Sequence, residues 1–263
     1  MSTTLEKGTV PVAGSNIYYE SHGDGPPLVL LHGGVNPSET FSAPLAAMAK
    51  THKVIAIHLR GHGLSSDNGE LWSNEAFADD VAAVLEHLDI SRARFMGYSL
   101  GAAVSLQVAV RHPQLVEKLV LVSTAFDSNG EYPEIRAAFF HMPALAAAIG
   151  QQISASPLAQ MYPDVNWETM MRKTGDMNAA AYDWSVGVRK ITAPTLLVFA
   201  DADSIRPDHM TDFWKLIGGG QRDAGLDGSQ RPVNQFGIVP GTTHYNLIHS
   251  PALTEMATSF LGS

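Results

Sequence analysis

The sequence predicts an α/β protein, in which helices flank a mostly parallel, eight-stranded sheet. Two observations carry this prediction. Short apolar runs bounded by turn residues alternate with stretches of helical periodicity, which is the order of elements in a parallel sheet covered by helices on both faces. The chain also has 263 residues and is 45% hydrophobic, so it can bury one large core without disulfide bonds or structural metals.

The predicted elements follow one another in a regular order. A hairpin is predicted over residues 9–12 and 16–20, and buried strands are predicted at residues 28–31, 54–57, 94–97, 118–122, 195–199 and 236–239. Helices are predicted at residues 43–50, 74–87, 101–111 and 251–261, and a further helix begins near Pro207. His112-Pro113 ends the third of these helices, because a residue before proline disfavours the helical conformation.

Between residues 126 and 190 the alternation breaks, and short helices rich in Met, Phe, Tyr and Trp are predicted there. We interpret this segment as an inserted helical cap, because long excursions from a compact domain are usually functional. An ordinary helical excursion without a substrate role is the alternative. The core domain then comprises residues 1–125 and 191–263. The apolar cap side chains that suit either an acyl pocket or the cap's own core are Phe139, Phe140, Met142, Met161, Met170 and Trp184.

Composition and charge argue against several function classes. The chain has no cysteine, which excludes thiol nucleophiles, CxxC redox motifs and cysteine-based zinc sites. Its 17 basic and 26 acidic side chains give a net charge of −9, which disfavours binding to nucleic acid and to anionic membranes. The same balance favours neutral small molecules as substrates.

Targeting and cofactor signals are missing from the sequence. The N-terminus lacks the pattern of a signal peptide, and no apolar run approaches the roughly 20 residues of a membrane span, so we expect a cytoplasmic protein. Nucleotide-binding and zinc motifs are also absent, so neither a cofactor nor a metal is expected. The oligomeric state stays open.

Residues 97–101 read Gly-Tyr-Ser-Leu-Gly and match the pattern G-x-S-x-G, in which a serine stands on a sharp turn between a strand and a helix. An apolar strand precedes this segment and a helix of small residues follows it, which is the context the pattern requires. The glycines let the strand and the helix pack closely enough to hold the strained turn. Ser99 is therefore the predicted nucleophile.

At this point the sequence resembles the α/β-hydrolase family, whose segments recur here in the family's chain order over nearly the whole length. Leu31-His32-Gly33-Gly34 looks like the family's His-Gly loop, and the resemblance implies an oxyanion hole formed by the backbone amides of Gly34 and Leu100. His32 is interpreted as a residue that holds this loop. Residues 60–65 also resemble a family segment, although His58 stands where the family often has Asp.

The resemblance places the catalytic acid and base late in the chain. Asp203 follows the strand at residues 195–199 and precedes a helix that begins with proline, which is the family's position for the acid. Asp201 is the nearest rival, because a carboxylate at a strand end often caps its own turn. Asp127 is the other alternative, because some family members take the acid from the loop after the sixth strand, where Asp127 lies in this chain. His244 follows the last strand through a Pro-Gly turn, so the order is Ser, Asp, His, as this fold requires.

The function that the resemblance implies is that of a serine hydrolase, a carboxylesterase that cleaves small to medium neutral esters through an acyl-enzyme. A serine at the turn argues against relatives that use an aspartate nucleophile. A lactonase and a C–C bond hydrolase of ring-cleavage products are the close alternatives. A ligand-binding protein that keeps the fold but not the activity is the alternative from another class.

Overall fold

The structure is a computed structural model, and it describes residues 5–35 and 41–262. A hairpin of β1 (Leu5–Val12) and β2 (Ser15–His22) opens the described chain. The two turn residues, Ala13 and Gly14, have φ angles of 46° and 81°. Two positive φ angles give a two-residue turn whose twist matches that of the flanking strands.

Six further strands complete the sheet. They are β3 (Pro27–Leu31), β4 (Lys53–Ile57), β5 (Ala93–Tyr98), β6 (Val116–Val122), β7 (Thr195–Ala202) and β8 (Gln235–Thr243). The strand order is β1-β2-β4-β3-β5-β6-β7-β8. Strand β2 pairs antiparallel with β1 and β4, and the other neighbours are parallel. The predicted eight-stranded, mostly parallel sheet is confirmed.

Helices lie in the connections between the strands. They are α1 (Ser42–Met48), α2 (Asn74–His87), α3 (Leu100–Arg111), α4 (Pro133–Ser154), α5 (Pro157–Met161), α6 (Trp167–Ala179), α7 (Ser185–Val188), α8 (Pro207–Leu216) and α9 (Pro251–Gly262). Helix α2 begins as its sequence suggests, because the Ser73 hydroxyl accepts a hydrogen bond from the Ala76 amide at 3.0 Å. Along the described stretches, no helix combines the length and the apolar character that crossing a bilayer requires.

The central strands of the sheet are buried on both faces. Along β3, Val29 and Leu31 belong to one apolar cluster with α2 and α3, whereas Leu28 and Leu30 belong to a second cluster with α9. Successive side chains of a strand point to opposite faces, so an uninterrupted apolar run fills both clusters. This arrangement holds the carboxyl ends of the parallel strands at one edge of the sheet, where Ser99 follows β5.

Helices α4 to α7 lie between β6 and β7, inside the segment predicted as a cap. The first of them differs from the short helices that we expect from the sequence, because α4 runs for 22 residues and includes Pro143. Proline removes one backbone hydrogen bond within a helix, but the alanine-rich sequence around it favours helix strongly. The division into core and cap at residues 126 and 190 stays a prediction.

Polar contacts tie this helical segment to the rest of the chain. The Lys173 ammonium lies 2.6 Å from the Asp67 carboxylate, and the Trp184 indole donates a hydrogen bond to Glu75 at 3.0 Å. Many buried apolar side chains of α6 also join the cluster formed by α2 and α3. The helical segment therefore packs as part of the same core.

Three histidines are buried beneath the carboxyl ends of β3 and β4. The ring centroid of His32 lies 6.1 Å from that of His58 and 5.2 Å from that of His62. Burial lowers the pKa of His58 to about 3 and that of His62 to about 4, and it holds the pKa of His32 well below its ordinary value. All three rings are therefore neutral in the folded protein at pH 7.

We expect acid to destabilise the fold through these rings. In the unfolded chain each imidazole takes up a proton near its ordinary pKa of 6.5, while the folded protein keeps His58 and His62 neutral. Their contribution to stability is thus complete above pH 6.5 and is lost as the pH falls towards their folded pKa values. At pH 5 the loss is about 2 kcal/mol for each ring, relative to pH 8.

Urea unfolding at pH 8 and pH 5 measures this loss. His58→Gln should lose about 2 kcal/mol less on acidification than the wild type. His141 is exposed on α4, so His141→Gln should keep the full acid loss and serves as the matched control. Equal losses of stability in all three proteins would show that the burial of His58 does not contribute to the acid sensitivity.

Candidate active site

Ser99 stands on the turn that the sequence predicts, between the end of β5 and the start of α3. Its φ and ψ angles are 52° and −117°, a conformation that side chains other than glycine rarely adopt. The Ser99 amide donates to the Val122 carbonyl at 2.9 Å, and the Ser99 carbonyl accepts from the amides of Ala102 and Ala103. The surrounding backbone thus holds the strained residue in place.

The two glycines of the turn allow this close packing. A Cβ atom at Gly97 would lie 2.1 Å from the Gly101 carbonyl oxygen, and one at Gly101 would lie 1.9 Å from the carbonyl oxygen of Leu31. Both distances are far shorter than a non-bonded contact permits, and the obstacle is backbone in each case. Glycine is therefore required at both positions.

The imidazole of His244 joins the serine to a carboxylate. Its Nε2 atom lies 3.0 Å from Ser99 Oγ, and its Nδ1 atom lies 3.0 Å from Asp203 Oδ1. The Ser204 hydroxyl lies 2.9 Å from the same Nδ1 atom. The Tyr98 hydroxyl donates to the backbone carbonyl of His244, which fixes the position of the loop. With the proton on Nδ1, Nε2 is free to accept the proton of the serine hydroxyl.

Asp203 is held as an ionised carboxylate. Its Oδ2 atom accepts hydrogen bonds from the Ser123 hydroxyl at 2.6 Å and from the Ala200 amide at 2.9 Å. Burial by itself would raise the pKa of Asp203, but the hydrogen bond and charge of His244, with the bonds from Ser123 and Ala200, lower it below its ordinary value. Asp203 can therefore stabilise a positive charge on the imidazole.

The rival carboxylates lie elsewhere. Asp201 is exposed and accepts hydrogen bonds from the amides of Gly241 and Thr242, both at 3.0 Å, so it holds the end of β8 that leads to His244. Asp127 accepts a hydrogen bond from the Asn129 amide and begins a short helical turn. The structure thus brings Ser99, His244 and Asp203 together and places Asp201 in a supporting position.

The predicted oxyanion residues, Gly34 and Leu100, both line the cavity next to Ser99. Leu100 is the first residue of α3, so its amide has no carbonyl partner within the helix. His32 holds the backbone just after β3, because its Nδ1 atom donates to the Gly33 carbonyl at 2.6 Å and its Nε2 atom accepts from the Leu59 amide at 3.0 Å.

The cavity beside Ser99 has a volume of about 270 Å³. The helical segment covers it with Ile135, Phe139, Met142 and Met171. Of the side chains suggested from the sequence as an acyl pocket, Phe139 and Met142 line the cavity. Phe140 and Met161 are exposed, and Met170 and Trp184 lie in other parts of the fold.

Several polar residues of the cavity were not predicted from the sequence. Among those that line the cavity are Asn74, Glu131, Thr174, Tyr182 and Ser204. Burial raises the pKa of Tyr182, so its hydroxyl stays protonated. No local motif marks these residues, because they come from five separate segments of the chain. For the apolar lining residues the sequence does contain a signal, which is the helical periodicity of α4. Ile135, Phe139 and Met142 share one face of this helix, whereas Phe140 does not.

Comparison with known proteins adds independent findings. The sequence model of the alpha/beta hydrolase fold family matches residues 26–162. An uncharacterized protein from Mycobacterium tuberculosis is 41% identical over 101 residues, which are 38% of this chain and 30% of the relative's length. A pyrrolizixenacetamide deacetylase from Xenorhabdus hominickii is 27% identical over 218 residues, covering 75% of this chain and 81% of the relative.

A solved structure shows the same architecture over nearly the whole chain. An alpha/beta hydrolase enzyme from a Medee basin deep-sea metagenome library superposes with a TM-score of 0.80 and 17% sequence identity. The match covers 97% of this chain and 98% of that chain. At this level of identity the likeness concerns the fold.

Proposed function

The chain belongs to the α/β-hydrolase fold family, and from that premise we propose that it is a serine hydrolase that cleaves small to medium neutral carboxylic esters. One observation carries the proposal: His244 lies within 3.0 Å of both Ser99 Oγ and Asp203 Oδ1, beside a cavity large enough for a small ester. The similarity to a deacetylase supports hydrolytic removal of a small acyl group.

The proposed mechanism begins with attack by the serine. Ser99 Oγ adds to the ester carbonyl carbon while His244 Nε2 takes the hydroxyl proton, and Asp203 stabilises the imidazolium that forms. The amides of Gly34 and Leu100 donate to the oxyanion of the tetrahedral intermediate. His244 then returns the proton to the leaving alkoxide, and the acyl group remains on Ser99.

The second half of the cycle repeats these roles with water. His244 accepts a proton from water as its oxygen attacks the acyl-enzyme, and a second tetrahedral intermediate forms at the same oxyanion site. Collapse of this intermediate releases the carboxylic acid and returns the proton to Ser99 Oγ.

Covalent labelling tests the proposal. An alkyl fluorophosphonate should modify one residue, Ser99, and should abolish turnover of p-nitrophenyl acetate in proportion to the extent of labelling. Mass spectrometry of the digested protein locates the adduct. A protein that neither reacts with the probe nor hydrolyses the ester would overturn the proposal in favour of a ligand-binding role, and an adduct at another serine would move the nucleophile.

A further inference from the structure

One carboxylate faces the cavity beside Ser99. Glu131 lines this cavity, and its side chain is only 15% exposed. Its backbone pairs with Ile205 in an isolated bridge, and the Tyr132 amide donates to the Ser204 carbonyl at 3.2 Å. Glu131 is thus anchored to the loop that also carries Asp203.

The nearest cation is shared between Glu131 and the end of α6. The guanidinium of Arg136 lies 3.7 Å from Glu131 Oε2 and forms an ion pair with it. It also donates to the backbone carbonyls of Asn178, Ala179 and Ala180, where α6 ends. Arginine commonly caps the last carbonyls of a helix in this way. Among the described residues that line the cavity, none is Lys or Arg.

Glu131 is therefore the acidic side chain among the described residues that line the cavity, and its ion-pair partner Arg136 is not one of them. Burial raises the pKa of Glu131 above its ordinary value, while the charges of Arg136 and His244 favour its ionised form. Asp203 adds a second carboxylate behind His244. An anionic group on a bound ligand would meet these charges in a partly enclosed space, where repulsion is stronger than in water.

Three residues that line the cavity also carry buried polar atoms without partners. Asn74 and Thr174 are each 7% exposed, and neither Asn74 Oδ1 nor Thr174 Oγ1 has a hydrogen-bond partner in the described part of the chain. Glu131 Oε2 is likewise without a hydrogen bond there. Buried polar atoms nearly always have partners, so a ligand with hydrogen-bond donors would complete this set.

Building on the proposed esterase function, we propose that the cavity takes esters whose bound portion carries a hydroxyl or similar donor and no anionic group. Glu131 is the residue that rejects carboxylates, and Thr174 helps to bind the donor.

Three methyl esters of equal chain length test this specificity: methyl pentanoate, methyl 5-hydroxypentanoate and monomethyl glutarate. Their hydrolysis at pH 8 is followed by titration of the acid released, and kcat/KM is compared within each protein. The wild type should prefer methyl pentanoate over monomethyl glutarate by about tenfold or more. Glu131→Gln should reduce this ratio about tenfold, because the glutamine keeps the shape and removes the charge.

Two further variants complete the experiment. Glu134 is exposed in the first turn of α4 and does not line the cavity, so Glu134→Gln should keep the wild-type ratio. Thr174→Val should lower the preference for methyl 5-hydroxypentanoate over methyl pentanoate, and it tests the donor site even if Glu131→Gln fails to fold.

The outcomes separate the two proposals. If Ser99-dependent turnover is present but Glu131→Gln keeps the wild-type ratio, the specificity proposal is overturned and the esterase proposal stands. Efficient turnover of monomethyl glutarate by the wild type would overturn it as well. If no ester is hydrolysed by the wild type, the proposed function itself fails.

Discussion

Replacing Ser99 by alanine is expected to lower kcat for p-nitrophenyl acetate by roughly 10⁴ to 10⁶-fold. The substitution removes Ser99 Oγ, which lies 3.0 Å from His244 Nε2 and is the atom proposed to bond to the acyl carbon. Binding and the oxyanion site remain, so the variant should keep a small residual rate above that of water. Initial rates of nitrophenolate release measure the effect.

A matched alanine substitution provides the control. Ser105 lies on α3, the helix that follows Ser99. It is fully buried and donates its hydroxyl to the Gly101 carbonyl at 2.7 Å. It does not line the cavity, so Ser105→Ala should retain turnover. Wild-type turnover by Ser99→Ala would show that another group attacks the ester.

Replacing Asp203 by asparagine is expected to lower kcat by roughly 10⁴-fold. Ser123 and the Ala200 amide both donate to the Oδ2 position, so the carbonyl oxygen of the asparagine will take that position and its NH₂ group will face His244. An NH₂ donor there favours the imidazole with its proton on Nε2. That form cannot accept the proton of Ser99.

Asp201→Asn is the comparison that separates the two carboxylates. Asp201 contacts the amides of Gly241 and Thr242 and not the imidazole. The substitution therefore weakens only the hydrogen bonds that hold the loop before His244. We expect less than about a tenfold fall in kcat for this variant. Circular dichroism and unfolding midpoints would confirm that both variants are folded. A larger fall for Asp201→Asn than for Asp203→Asn would reverse the assignment.

The buried parts of the fold were predictable from the sequence because hydrophobic patterning is a local signal. The bounds of α2 agree with those predicted, and the strands at the centre of the sheet agree to within two residues or fewer. The ends of β7 and β8 extend beyond the prediction, as far as Ala202 and Thr243. Most residues of these ends are exposed, and their pairing past an irregularity in register depends on residues far apart in sequence.

The residues of the candidate site also differ in how far the sequence could predict them. Ser99 and His244 follow strands that hydrophobicity reveals, so their place at the sheet edge could be inferred. The role of Ser123 could not, because its φ of 53° and its bond to Asp203 arise only when β6 and β7 pair. Glu131 is a similar case, since a bridge to Ile205 across 74 positions of sequence brings an acid from a polar stretch into the cavity.

A screen for heat resistance would select against the proposed nucleophile, Ser99. A residue other than glycine with the φ of 52° that Ser99 adopts carries roughly 1–3 kcal/mol of strain, and glycine would release most of it. Variants chosen only for survival at high temperature would therefore include Ser99→Gly, a more stable protein without a nucleophile. Selection on ester turnover after heating would retain the serine and would direct improvement to other parts of the fold.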